Sequence, residues 1–159
     1  MAMAAAARVR SAIGLAGLLI ASSVVHAQGP ADRLATAKKV RCSFSMYALA
    51  AWAKDGQAAP TLKPSTLSFT FDEIVADEAT ARVIGPFGPS DITVRFAGGT
   101  LHFMQSFREG PIYLTTIFPM ELPNKALQAV HTRHENTQIA LPGFTSKPEQ
   151  YYGHCEVLE

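Results

Sequence analysis

His131, Arg133 and His134 are the cluster whose residue types and spacing could do chemistry. Residues an even number apart on a strand share a face. If Ala126–His134 is a strand, His131 and Arg133 therefore point together and His134 points the other way. Leu127 and Ala129 fall on the His131 side, which turns that side inward near one end of the domain. An inward His and Arg could receive a carboxylate or phosphate, the guanidinium fork giving bidentate contacts. Opposite pointing argues against His131 and His134 sharing a metal ion unless a bulge intervenes. The plainer reading of the same residues, a hydrogen-bonded polar plug or a strand end in water, carries more weight.

Other reactive types are sparse. Arg95 and His102 read as a solvated pair across a hairpin, and Glu73 with Arg82 as an exposed ion pair worth under ~1 kcal/mol. Thr115 and Thr116 are more simply strand formers than nucleophiles. There is no G-x-S-x-G elbow, no phosphate-cradling glycine motif and no C-x-x-C. No catalytic residue, metal or cofactor is implied. Phe69, Phe71, Phe96, Phe103 and Phe118 are core candidates, not a platform on which bases stack.

The N-terminus gives Cys42 and Cys155 their chemistry. Arg8 and Arg10 precede an apolar run from Ala12 to Val25, and Val25-His26-Ala27 offers a signal-peptidase site. Such a run, about 14 residues, is shorter than the ~20 that cross a bilayer as a helix. Residues 1–27 are thus expected to be a cleaved signal peptide directing export by the general pathway to the periplasm or medium. No later segment is long and apolar enough to span a membrane as a helix. In an oxidising compartment the two cysteines are expected to pair. Of 14 basic and 13 acidic residues, Arg8 and Arg10 leave with the peptide, so the mature chain is near neutral, 12 against 13. That balance gives no electrostatic footprint for nucleic acid.

The elements that must position these residues read as antiparallel strands. From about Ser65 the apolar period is two and the punctuation is Gly and Pro. Gly98-Gly99 marks a two-residue hairpin. The register it sets opposes Ala97 to Thr100, Phe96 to Leu101, Arg95 to His102, Val94 to Phe103 and Thr93 to Met104. Strands are expected at Val40–Met46, Leu67–Phe71, Thr80–Ile84, Ile92–Phe96, Leu101–Met104, Ile112–Phe118, Ala126–His134 and Gln150–Leu158, with Pro119 and Pro123 ending the sixth. Glu135–Glu149 reads as a long loop, and residues 28–39 as a flexible or short helical lead-in. The fold expected for residues 40–159 is a single all-β domain, an antiparallel meander of seven or eight strands. Closure into a barrel removes both sheet edges and brings Cys42 to Cys155; a β-sandwich of the same order is the alternative.

Three runs carry a resemblance: Leu114–Phe118, Ala129-Val130-His131-Thr132-Arg133-His134, and Pro148-Glu149-Gln150-Tyr151-Tyr152-Gly153-His154-Cys155. With the Phe71–Val94 stretch they resemble a family of small exported proteobacterial proteins of unknown function. The resemblance implies an exported address and supplies no activity. Lipocalins are similar in outline, but their G-x-W opening is absent at Ala50-Ala51-Trp52. Periplasmic inhibitors of C-type lysozyme are also similar in outline, and their Ser-rich loop run has no counterpart here. Three functions are expected in descending order. The first is a monomeric, non-catalytic binding module for a small apolar or anionic ligand or an envelope protein. The second is a hydrolase inhibitor acting through Gly85–Ser90 or Glu135–Glu149, and the third an enzyme using His131 and Arg133.

Overall fold

In a computed structural model of the chain, residues 28–86, 88–135 and 147–158 are described. The signal peptide expected at residues 1–27 lies outside them, as does most of the loop expected at Glu135–Glu149.

Eight strands form a closed antiparallel barrel in sequence order: β1 Lys39–Trp52, β2 Ala58–Val75, β3 Thr80–Gly85, β4 Gly88–Ala97, β5 Thr100–Ser106, β6 Ile112–Glu121, β7 Leu127–His134 and β8 Glu149–Leu158. Closure is made by β1 against β8. The barrel expected from sequence is therefore found, and the sandwich alternative falls. On β1 up to Phe44 and on β4 apolar residues alternate inward while Arg41, Asp91, Thr93 and Arg95 face out, the pattern of a barrel whose core is its interior.

The glycine hairpin has the expected register in all five pairs, with Gly98 and Gly99 at φ 59° and 79°. Such positive φ at both turn positions matches the twist of the strands it joins. Other strands run past their expected limits. β1 extends to Trp52 and pairs with a β2 that begins at Ala58, although Pro60 and Pro64 lie on it. Those prolines are tolerated because, among the described residues, β2 has a strand partner on one side only from Ala58 to Phe69. β6 likewise continues through Pro119 to Glu121, its register with β7 shifting between Ile117 and Glu121.

One end of the barrel is closed by a short helix, α1 Pro30–Thr36. Pro30 starts it with a preset φ, and Asp32 accepts a hydrogen bond from the Gly29 N–H at 3.2 Å. Leu34 is the buried plug, and Arg33 ties the helix to Glu121 and to the Lys125 carbonyl. Cys42 and Cys155 oppose each other on β1 and β8 and are disulfide-bonded. The bond spans 113 residues of sequence and closes the barrel seam. In the chain-entropy account a loop of that length contributes on the order of 4–5 kcal/mol. Beside it, β1 bulges between Phe44 and Met46, and Gly153 sits against the bulge. A Cβ at Gly153 would lie 2.1 Å from the Ser43 carbonyl oxygen, so only glycine fits.

Candidate functional site

At the end of the barrel opposite α1 the described residues leave internal space. A cavity of about 300 Å³ enters the interior between β2, β3 and β4 on one side and β5, β6 and β7 on the other. Its walls are Leu67, Phe69, Phe71, Val83, Ile92 and Phe103, with Phe71 and Phe103 stacked at 3.7 Å between centroids. Pairing between β2 and β3 begins only at Thr70↔Ile84. Above that point the wall parts, and Gly85, Pro86 and Gly88 rim the opening with Phe107.

Ser90 and Gln105 line the cavity from β4 and β5, and the buried polar groups gather on one flank, from inward positions of β6, β7 and β8. Tyr113, Thr115 and Ile117 alternate inward on β6, as do Leu127, Ala129, His131 and Arg133 on β7. The register opposes Thr115 to His131 and His131 to Tyr151. His131 and Arg133 thus share one face, as expected; both line the cavity, and His134 is exposed on the outside.

The His131 ring is 5% exposed, boxed by Phe44, Phe69, Tyr113 and Tyr151 with centroids 5.1–5.8 Å away. Burial, and then the positive charge of Arg133, push its pKa down to about 3. The ring is therefore neutral at physiological pH. Its Nδ1 lies 2.9 Å from Thr115 Oγ1, and its Nε2 accepts from Arg133 Nε at 3.4 Å. Arg133 is held by three further contacts. Its Cζ lies 5.1 Å from the centroids of both Tyr113 and Tyr151, and its Nη1 is 3.9 Å from Glu149 Oε2. Cation–π contact with two rings offsets part of the cost of burying the guanidinium.

Two buried carboxylates complete the flank. Tyr113 donates its hydroxyl to Glu135 at 3.2 Å, and Tyr151 donates to Glu149. Burial holds both phenols well above their ordinary pKa, so they are donors throughout the physiological range. Neither Glu135 nor Glu149 is on the cavity wall.

Sequence reasoning missed Thr115, Tyr113, Tyr151, Glu135 and Glu149. The available signal was parity: Tyr113 and Thr115 share the inward side of their strand with Ile117, and polar residues on an inward side need partners. Arg95 and His102 face away from the cavity, His102 bonded to Thr116 Oγ1 at 3.1 Å. The expected Glu73–Arg82 ion pair forms at 3.1 Å, with Glu73 at a bulge (φ 52°) and Asp91 at 3.5 Å on the other side of Arg82. Among the described residues no three His, Cys, Asp or Glu side chains lie together as metal ligands would, and no helix is long and apolar enough to cross a membrane.

Compared with protein-family models, curated proteins and solved structures, the chain matches none.

Proposed function

We propose that this protein is an exported, non-catalytic binding module whose barrel interior receives one small, largely apolar molecule. The observation that carries the reading is the cavity itself. About 300 Å³ of space lies inside an otherwise packed barrel, walled by aromatic and aliphatic side chains with polar groups on one flank. Sites for small molecules have this composition, and this volume is at the lower end of their range. The disulfide supports export, because such bonds persist in oxidising compartments.

Catalysis by His131 is disfavoured by its surroundings. Both ring nitrogens are engaged, and the one lone pair is covered by a cation. A general base needs a free lone pair and a pKa near the working pH, and this imidazole offers neither.

Binding is tested with 1-anilinonaphthalene-8-sulfonate, which fluoresces in apolar sites, titrated into the oxidised protein. Saturable one-to-one enhancement is expected. Val83→Phe, which fills the cavity from its wall, should weaken it at least tenfold while leaving thermal stability unchanged or raised. Enhancement that never saturates, or that Val83→Phe leaves intact, overturns the reading.

A further inference from the structure

The hydrogen-bond chain along the cavity flank has a direction, and the direction selects the ligand. Arg133 has donors only and keeps its proton in proteins. Its Nε–H faces His131 Nε2 at 3.4 Å, so that nitrogen must carry the lone pair. The proton of the neutral ring is then on Nδ1, which donates to Thr115 Oγ1 at 2.9 Å. The opposite tautomer would set Nε2–H against Nε–H. Thr115 Oγ1 thereby accepts from the imidazole, and its own proton has no protein acceptor among the described residues. Thr115 is buried and lies on the cavity wall, so its O–H is a donor available to an occupant.

Charge points the same way. Arg133 is the ionised group on the cavity wall, and its side chain is 16% exposed. Its contact with Glu149 is single and long, 3.9 Å through Nη1, not the two-pronged fork that would use up the guanidinium. Glu149 and Glu135 accept instead from the hydroxyls of Tyr151 and Tyr113. The flank thus presents the Arg133 guanidinium and the Thr115 hydroxyl on either side of one imidazole, both as donors. The remaining wall is mainly aromatic and aliphatic, with Ser90 and Gln105 as further neutral polar groups.

We infer that the occupant is a small monocarboxylic acid, its apolar body against Phe69, Phe71 and Phe103 and its carboxylate received by Arg133 and Thr115. This rests on the interior-binding reading above and narrows it to one chemical class. An ammonium head would meet a cation and a donor, and a hydroxyl head would add no charge to the single 3.9 Å contact that Glu149 makes with the guanidinium.

Matched probes test it on the oxidised wild-type protein by calorimetric titration at pH 7.5: octanoate against 1-octanol and octylamine, and 3-phenylpropionate against 3-phenylpropanol. The acid of each set is expected to bind at least tenfold more tightly than its alcohol, and the amine most weakly. Arg133→Gln should erase the preference for acid while changing alcohol affinity less than threefold. Thr115→Ser, which keeps the hydroxyl, should retain the preference, and Thr115→Val should reduce it several-fold. The wild-type series stands even if a variant fails to fold. Equal affinity for acid and alcohol, both saturating, overturns the carboxylate assignment and leaves interior binding intact. No saturable binding by any probe overturns both.

Discussion

The two ends of the barrel are made from the same eight strands and differ in what those strands send inward. At the end closed by α1, Val40, Ile74, Val94, Leu101, Ile117 and Leu127 meet in a core from which water is excluded almost completely. Toward the open end the inward positions become Tyr113, Thr115, His131 and Arg133 on the cavity wall, with Tyr151 and Glu149 against Arg133, around space that the described residues leave open. Burying polar groups costs free energy unless each finds a partner, and a cavity forfeits the dispersion contacts its lining would otherwise make. A sequence under pressure only to fold would carry apolar packing through both ends. The contrast separates a packed half that holds the molecule together from a half that keeps internal space beside buried polar groups.

The largest expected effect belongs to the closed half. Removing the Cys42–Cys155 bond by the double change Cys42→Ala, Cys155→Ala should lower unfolding free energy by up to about 4–5 kcal/mol. Chemical denaturation of the two proteins at equal concentration measures this. Octanoate affinity, measured where both are folded, should stay within about threefold, because the bond lies away from the cavity wall. A large loss of affinity in a folded variant would mean that the two halves are coupled and that the contrast is too sharply drawn.

A matched pair of isoleucines sharpens the comparison. Ile117 is 0% exposed in the closed half, whereas Ile92 is 9% exposed and on the cavity wall. Ile117→Ala should cost about 2–5 kcal/mol, as truncations in packed cores do. Ile92→Ala should fall at or below the lower end of that range, because its cavity side already lacks partner atoms. Equal losses would indicate that the space beside Ile92 closes in solution.

Much of the closed half was legible from sequence. Strict alternation and the Gly98-Gly99 pair fix the β4–β5 register, since slipping by one residue would turn Val94 and Phe96 outward. The two cysteines then identify which strands meet. The open half was half legible. Parity placed His131 and Arg133 on one inward side, but their partners come from β6 and β8, and which residue of β6 faces His131 depends on a register shift between Ile117 and Glu121 that no local pattern announces. Thr115 read as an ordinary strand former because nothing in its neighbourhood announces an imidazole across the ladder. β2 before Ser65 was missed for a related reason: Pro60 and Pro64 suppress the strand signal, and only a one-sided position excuses them.

Acid should act on the open half first. His131 is neutral in the folded protein, with a pKa near 3, against about 6.5 in the unfolded chain. Between those values the unfolded state takes up a proton that the folded state refuses. Stability from this group is therefore complete above pH 6.5 and declines as pH falls toward 3. The slope approaches about 1.4 kcal/mol per pH unit. Asp72, Glu121 and Glu156 are held below the ordinary carboxylate range by Lys39, Lys125 and Arg41, and their contribution fades at lower pH. Denaturation midpoints between pH 6.5 and 5 isolate the histidine. His131→Gln should lose the slope whatever it costs at pH 7. An unchanged slope would place the titrating group elsewhere.

The smallest expected effect concerns residues that belong to neither half. Beyond Leu49, which pairs with Glu149, β1 leaves β8 behind and continues with β2 as a two-stranded arm. Alternation gives that arm one side made of Ala50 and Trp52 opposite Pro60 and Ala58, continuing the side that Met46 and Ala48 share with Pro64 and Leu62. Trp52 is 62% exposed there and Leu62 66%, so neither gains much from burial within the chain. Trp52→Ser should change unfolding free energy by less than about 0.5 kcal/mol, in the range of ordinary surface substitutions. A loss several times larger at any protein concentration would mean that the arm packs on the barrel. A loss that grows with protein concentration would mean that a second copy covers it. Either result would bring the arm into the comparison as a third region, stabilised by contacts that the isolated barrel does not make.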